Sequence, residues 1–299
     1  MVPAYRERLT FGELKHRAES LHALLRQCTV CPRECGVDRL AKRYGVCRAT
    51  DTVMVSGASP HFGEEPPLVG SHGSGTIFFT SCNLKCAFCQ NYDISQLRHG
   101  WETSISDLAR LMLTIQDQGC HNVNVVTPTH YTPQIVQALV IAIDHGFSLP
   151  IVYNSGGYES VSTLKLLEGI VDIYMPDIKY SDDREARKYS GAPHYWDVAR
   201  AAVVEMHRQV GDLRVDDRAV AERGLLIRHL VLPNRLAGSR TVLEFIAHDL
   251  SGDSYVNIMD QYHPSYRAGQ HPELNRRITA REYREAVEYA YRLGLRRGF

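Results

Sequence analysis

Six short β-rich runs alternate with helical segments from residue 76 onwards, and this alternation constrains the fold more than any other feature. Parallel strands are joined by long crossovers that usually contain a helix, so the alternation predicts parallel β-α units. Eight units would close a full barrel, whereas six predict an open, partial barrel or a doubly wound sheet. The predicted strands are 76–80, 122–127, 151–154, 171–175, 225–231 and 255–259.

The residues before this region follow another pattern. Thr10 and Glu13 have the spacing of a capping box, and apolar residues at helical intervals follow them. Between residues 28 and 74, glycine and proline are frequent and no period is visible. The sequence therefore predicts an irregular lead-in over residues 1–75 and an α/β region over 76–299. Thr279 and Glu282 predict a second capping box before the last helix, and the polar segment 211–223 predicts an exposed loop.

Charge and hydropathy exclude several classes of partner. The chain has 34 Lys and Arg against 34 Asp and Glu among its 299 residues, so it lacks the basic surplus of a general nucleic-acid binder. No apolar run approaches the roughly 20 residues that cross a bilayer. The N-terminal residues have no apolar signal core. We expect a cytoplasmic protein without a nucleic-acid or membrane partner.

The chain has eight cysteines. In the reducing cytoplasm, clustered cysteines more often bind metal than form disulfides. Cys82, Cys86 and Cys89 follow the first predicted strand with C-x3-C-x2-C spacing. Three thiolates on one loop can bind three corners of a [4Fe–4S] cluster and leave one iron open. A zinc site or a chance grouping are the alternatives, but zinc usually takes four ligands and this loop offers no fourth Cys or His.

The cysteine motif resembles that of the radical S-adenosylmethionine superfamily, which carries C-x3-C-x-aromatic-C after a first strand. The longer run from Cys82 to Asn91 resembles the pyruvate formate-lyase activating enzyme and its uncharacterised relatives. The resemblance implies a partial (β/α)6 barrel, a [4Fe–4S] cluster whose open iron binds S-adenosylmethionine, and an electron donor such as flavodoxin or ferredoxin. It implies reductive cleavage to a 5′-deoxyadenosyl radical that abstracts hydrogen from a substrate.

Several residues at strand ends are candidates to bind the cofactor. Asp177 and Lys179 lie two apart on an extended segment, so both side chains point to one side and could bind an ammonium and a carboxylate. The activating enzymes carry a similar Asp-x-Lys that binds the methionine part of the cofactor; a surface charge pair is the alternative. Asn154 precedes Gly156 and Gly157, which permit close backbone approach to a ligand or form a simple turn.

The resemblance also suggests catalytic residues. Arg228 and His263 align with positions that line the cofactor or substrate pocket of the activating enzymes, although each has a structural alternative. After the second strand the family usually has a Gly-Gly-Glu-like stretch, and this chain has Thr129 and His130 there instead. Thr129 is a candidate to replace the contact with the cofactor, and His130 to replace it or to act on the substrate.

A second group of cysteines lies in the lead-in. Cys28, Cys31, Cys35 and Cys47 have C-x2-C-x3-C-x11-C spacing, a complete set of four thiolates. The set predicts a second metal centre, either zinc or another iron–sulfur cluster. Four cysteines are too few for the eight-cysteine ferredoxin-like insertions of some activating-enzyme relatives.

These observations predict an oxidoreductase of the radical type. Its substrate is a protein, as in glycyl-radical activation, or a small molecule or peptide. A non-catalytic iron–sulfur electron carrier and a zinc-stabilised binding module are hypotheses from other classes.

Overall fold

The computed structural model describes residues 2–299, and Met1 lies outside the described residues. Within this range a nine-stranded sheet contains six strands that pair in parallel with their neighbours. The strands are β1 (Val53–His61), β2 (Ser74–Phe79), β3 (Trp101–Thr103), β4 (Val123–Val126), β5 (Ile151–Ser155), β6 (Ile173–Pro176), β7 (Arg214–Val215), β8 (Ala221–Leu230) and β9 (Tyr255–Met259).

The parallel strands follow the order β2-β4-β5-β6-β8-β9. At one edge β1 pairs antiparallel with β2, and β3 pairs with β1; β7 pairs antiparallel with β8. The helices are α1 (Ala4–Glu7), α2 (Phe11–Ala23), α3 (Pro66–Val69), α4 (Tyr92–Ser95), α5 (Ile105–Asp117), α6 (Thr132–Asp144), α7 (Val161–Leu166), α8 (Asp183–Ser190), α9 (Tyr195–Val210), α10 (Ser239–Phe245) and α11 (Ala280–Arg292).

The central parallel strands are buried on both faces. Every residue of β4, β5 and β6 is buried, as expected of a parallel sheet covered by helices. The fold is therefore a mixed α/β fold with a mainly parallel sheet. Closure or curvature into a partial (β/α)6 barrel stays a prediction, because the strand pairing describes an open order from β2 to β9.

The lead-in is more regular than its composition predicts. Residues 53–61, expected to be irregular, form β1, and only its first residues show the alternation of a strand, with Val53 and Val55 in the core. The rest of the strand could not be recognised from the sequence, because Gly57 and Pro60 are unusual in strands. Both are tolerated here because this part of β1 lies beside a register shift. The prediction of an irregular segment was wrong here. The expected loop over 211–223 likewise contains the two-residue strand β7.

Both predicted capping boxes are confirmed. The side chain of Thr10 accepts a hydrogen bond from the backbone N–H of Glu13 at the start of α2, and Thr279 does the same with Glu282 at the start of α11. Helix α8 was not predicted, because it is mostly charged and buries few apolar side chains, Ala186 and Tyr189.

One hydrophobic core joins the lead-in to the rest of the chain. Leu14 and Leu21 of α2 belong to the same cluster of buried residues as Val125 of β4 and Leu139 of α6. The predicted boundary at residue 75 lies at the start of β2, the first parallel strand. The division of the chain into two regions stays a prediction. None of the helices within residues 2–299 has the length and apolar character needed to cross a membrane.

A buried carboxylate fastens the N-terminus to the sheet. Asp172 accepts hydrogen bonds from the backbone N–H of Ala4 at 2.7 Å and of Ile151 at 2.9 Å. Burial nevertheless raises the pKa of Asp172 to about 6, although these hydrogen bonds oppose the shift. Asp172 therefore takes up its proton at a higher pH in the folded chain than an ordinary aspartate does.

This shift predicts a pH dependence of stability. The free energy that protonated Asp172 contributes is fully present below the ordinary aspartate pKa of 3.8 and is lost as the pH rises through about 6. Between pH 4 and 7 the stability advantage of the wild type over Asp172→Asn should shrink by up to about 3 kcal/mol. Anaerobic urea unfolding of both proteins across this range measures the difference, and a constant difference would contradict the assignment.

Candidate functional site

The three cysteines lie on the segment after β2, residues 80–91, which we call the cysteine loop. Its backbone is fastened to the C-terminal end of α8: the N–H of Lys85 donates to the carbonyl of Ser190 at 2.9 Å, and the N–H of Ala87 to that of Tyr189 at 2.7 Å. The Nδ2 of Asn83 donates to the carbonyl of Tyr158 at 2.7 Å. The loop is therefore held in one conformation by its neighbours.

Each thiol has a polar neighbour. The hydroxyl of Ser190 donates to the Sγ of Cys86 at 3.0 Å, and the backbone N–H of Leu84 lies 3.4 Å from the Sγ of Cys82. The Sγ of Cys89 lies 3.1 Å from the hydroxyl of Ser95. Burial raises the pKa of Cys82 to about 12 and also raises that of Cys86. A thiolate at these positions therefore needs a cation beside it, and hydrogen bonds to sulfur would tune a bound cluster.

Among residues 2–299, no group of three or more His, Cys, Asp or Glu side chains is arranged to hold a single metal ion. A cubane cluster needs a different arrangement of ligands, because each thiolate binds its own iron atom and the sulfur atoms need not meet at one ion. Three cysteines on one loop, beside an open cavity, fit that arrangement.

A cavity of about 200 Å³ lies between the cysteine loop and the C-terminal ends of the parallel strands. This is the edge of a parallel sheet at which ligands usually bind. The loop contributes Cys86 and Cys89, and the strand ends contribute charged side chains. The lining residues are Cys86, Phe88, Cys89, Gln90, Asn91, Asp177, Lys179, Arg228, Leu230, Met259 and Gln261.

Three charges meet at the floor of this cavity. Asp177 and Arg228 are register partners beyond the end of β6. The Nε of Arg228 donates to Oδ1 of Asp177 at 2.7 Å, and the Nζ of Lys179 donates to Oδ2 at 2.5 Å. Burial opposes ionisation of Asp177, but Arg228 and Lys179 outweigh it and hold its pKa below the ordinary value. The two residues predicted to face one side thus do so, in a buried ion network and not as a surface pair.

The segment that carries this network is fixed by a tyrosine that the sequence did not single out. The hydroxyl of Tyr195 accepts from the backbone N–H of Lys179 at 2.9 Å and lies 3.0 and 3.1 Å from the carbonyl oxygens of Gly156 and Asp177. Gly157 has φ +75°, and a Cβ there would lie 2.1 Å from the carbonyl oxygen of Asp177. The close approach predicted for the glycines is therefore to the backbone of Asp177.

Asn154 and two glutamates of the lead-in complete the surroundings of Arg228. The Oδ1 of Asn154 accepts from Nη2 of Arg228 at 2.7 Å. Glu64 and Glu65, whose side chains are both buried, lie 3.9 and 3.8 Å from Nη1. Sequence reasoning missed the glutamates, because nothing local marks a carboxylate in a Gly- and Pro-rich stretch as buried; they precede α3, which begins with a Pro-Pro pair.

Thr129 and His130 are placed away from the cavity. The hydroxyl of Thr129 donates to Glu159 at 2.6 Å, inside the core. The Nε2 of His130 lies 2.8 Å from the carbonyl oxygen of Thr80, and burial lowers the pKa of the imidazole to about 3. Neither residue lines the cavity, so the structure does not bring them together with Asp177. A neutral imidazole bonded to the backbone is a packing group of the loop.

His263 lies at the rim. Its Nδ1 is 3.3 Å from the Nε2 of Gln90, and the same amide donates to the carbonyl of Gln261 at 3.1 Å. Gln90 and Gln261 line the cavity, whereas His263 stands behind them. Arg228, by contrast, lines the cavity.

The lead-in cysteines gather in one neighbourhood. The N–H of Cys28 donates to the carbonyl of Val37 at 3.0 Å, and the N–H of Val46 approaches the Sγ of Cys35 at 3.4 Å. Burial raises the pKa of Cys31 and Cys47, and neighbouring thiols add to the rise in each case. Cys31 and Cys47 therefore each lie close enough to other lead-in thiols to be affected by their charge.

The sequence profile described as the Radical SAM superfamily matches residues 76–215. An uncharacterized protein of Methanocaldococcus jannaschii is 33% identical over 289 residues, which cover 93% of this chain and 78% of that protein. A radical SAM methyltransferase from Sphaerobacter thermophilus has a similar fold, with TM-score 0.50, 13% identity and coverage of 99% and 94%. A structure of TYW1 with a lysine-pyruvate adduct bound matches with TM-score 0.42 and 14% identity, over 73% and 72% of the two chains.

The contact at Gly157 predicts that Gly157→Ala is more damaging than an alanine at another left-handed glycine. Gly119 has φ +82°, and a Cβ added there would have no atom within 4 Å, so it serves as the matched control. We expect Gly119→Ala to cost about 1–2 kcal/mol from backbone strain alone. Gly157→Ala should cost about 1–3 kcal/mol more, because the backbone of Asp177 must move. Chemical unfolding measures both, and equal losses would refute the argument.

Proposed function

Because residues 76–215 match the Radical SAM superfamily domain, we propose that the chain cleaves S-adenosylmethionine reductively and abstracts a hydrogen atom from a substrate. The match implies a [4Fe–4S] cluster and S-adenosylmethionine. The observation that carries the proposal is the cavity that joins Cys86 and Cys89 to Asp177, Lys179 and Arg228. When bound, the cluster and the sulfonium supply the electron transfer and the radical; the protein supplies orientation and exclusion of competing reactions.

In this proposal Cys82, Cys86 and Cys89 hold the cluster, and Asp177 and Lys179 bind the amino-acid part of S-adenosylmethionine. An ionised carboxylate has about four lone-pair sites, and Asp177 uses one at each oxygen. The ammonium of Lys179 uses one of three donors on Asp177. Both groups therefore keep hydrogen-bonding capacity toward a ligand ammonium and carboxylate, while Arg228 holds them in place.

The cavity favours an enzyme over a non-catalytic electron carrier. A carrier needs only a path for the electron, whereas this chain maintains a space of about 200 Å³ with a buried ion network beside its cysteines. Gln90 and Gln261 are exposed members of the cavity lining, so we propose that the substrate enters on their side. The substrate is either a protein, as in glycyl-radical activation, or a small molecule or peptide. We place the reaction in the cytoplasm, where reducing conditions keep the thiols free.

We predict that Cys86→Ala lowers the iron content by about four per chain and abolishes cleavage of S-adenosylmethionine. Cys120 is the matched control, because it is also a buried free thiol but lies in the core outside the site. Cys120→Ala should keep iron and cleavage. Iron and sulfide analysis after anaerobic reconstitution, together with assay of 5′-deoxyadenosine, measures both.

Full cleavage by Cys86→Ala would refute the proposed function. Transfer of deuterium from labelled candidates into 5′-deoxyadenosine then separates the substrate classes. Label arriving from a protein glycine would identify glycyl-radical activation, and label arriving from a small compound or peptide would identify the other class.

We also propose that Cys28, Cys31, Cys35 and Cys47 bind a second metal centre. The occurrence of all four cysteines within residues 24–52, a segment with little regular structure, supports this. A metal there would couple ligand binding to folding of the segment. Zinc and a second iron–sulfur cluster both take four thiolates. Because the described side chains are not arranged to hold a single metal ion, the four thiols would have to move together on binding zinc.

A triple variant that replaces Cys82, Cys86 and Cys89 by alanine should still bind one metal centre. Metal analysis after anaerobic reconstitution distinguishes the two forms: retained zinc identifies a structural site, and retained iron with sulfide identifies a second cluster. Addition of Cys31→Ser should remove the retained metal in either case. If the triple variant binds neither metal, the four residues are ordinary thiols.

A further inference from the structure

The cysteine loop has a second cavity on its other side. Cys86, Phe88 and Cys89 line the cavity described above, whereas Lys85 and Ala87 line a separate groove of about 480 Å³. The two sets come from the same short loop. Its backbone therefore forms the wall between the proposed S-adenosylmethionine cavity and this groove.

The groove is strongly basic. Arg48, Lys85, Lys188, Arg267 and His271 line it, and none of its described lining residues is Asp or Glu. We call it the basic groove. Since the whole chain has no net charge, this is a local concentration of cations and not a property of the general surface.

Much of this charge is available to a partner. Lys188 is paired with Glu273, but Arg48 and Arg267 are exposed and form no ion pair with another residue of the described range. The Nζ of Lys85 lies 3.2 Å from the carbonyl oxygen of Cys82 and so belongs to the loop itself. The exposed side chain of Leu97 adds apolar surface to the groove.

We propose that the basic groove is the docking surface for a small acidic electron-transfer protein. This inference rests on the proposed function, since it gives the cluster its route to a donor. A basic surface with unpaired arginines attracts and orients an acidic partner. The donor would lose one electron and the cluster would gain it, with no bond made or broken.

The position of the groove explains why the donor would dock there. The cavity side of the cysteine loop must be kept for S-adenosylmethionine and substrate, so a donor that covered it would block turnover. Lys85 and Ala87 of the groove flank Cys86 in the chain, so the loop itself separates a docked donor from Cys86. The groove also borders the second cysteine group, because Arg48 follows Cys47 directly.

The test uses the full chain, with an acidic flavodoxin and an acidic ferredoxin as probes. Arg48→Glu combined with Arg267→Glu reverses two groove charges, and Arg214→Glu on exposed β7 is the control outside the groove. Surface plasmon resonance at low and high ionic strength gives the affinity. We expect binding by the wild type that weakens with salt, a loss of about tenfold or more in the double variant, and no loss in the control.

Cleavage of S-adenosylmethionine driven by chemical dithionite serves as the separate readout of the proposed function, and it should be equal in all three proteins. Absence of dithionite-driven cleavage in the wild type would overturn the proposed function, and with it the role of the groove in supplying electrons. Absence of binding to both probes, or equal binding by the double variant, would overturn the docking surface. Tighter, charge-dependent binding of a short RNA than of either probe would also overturn it.

Discussion

The buried ion network of Asp177, Lys179 and Arg228 sets a requirement that the rest of the site must meet. A carboxylate and two cations in the interior are tolerated only if each is paired and hydrogen-bonded. Asp177 and Arg228 meet because β6 and β8 are parallel neighbours in register, and Lys179 reaches the same carboxylate because it follows two residues later. The network thus depends on the order of the strands. A ligand that binds beside these three side chains would find them already oriented.

The same constraint explains the crowded backbone around Gly157. The Asp177 carbonyl occupies the space a side chain would need there, and the hydroxyl of Tyr195 lies against both carbonyls and the N–H of Lys179. A fixed backbone limits the motion of Asp177 and Lys179, which lowers the entropy lost when they bind a ligand. Positioning at this site is therefore a property of the β5 and β6 ends and not of long flexible loops.

The parallel strands and the cysteine motif could be predicted from the sequence because both are local patterns. Continuous apolar runs mark strands that are buried on both faces, and the spacing of Cys82, Cys86 and Cys89 is short. Contacts between distant segments could not be predicted in this way. Glu64 lies close to Arg228 although more than half of the chain separates them in sequence. Thr129 follows the end of a strand, as the other candidate residues do, but its hydroxyl points into the core toward Glu159. Position after a strand shows which edge a residue occupies but not where its side chain points.

The lead-in illustrates how the two cysteine groups come to lie near each other. Arg33, between Cys31 and Cys35, donates from Nε to the carbonyl of Asn83 in the cysteine loop at 2.8 Å. The hydroxyl of Thr163 donates to the carbonyl of Val30 at 2.9 Å and fastens the same segment to α7. A segment with little regular structure loses much conformational entropy on ordering. Because these contacts are few, the ordering of this segment depends on the cysteine loop that Arg33 contacts. A metal held by the four thiolates of the lead-in would therefore stabilise both the lead-in and the cysteine loop.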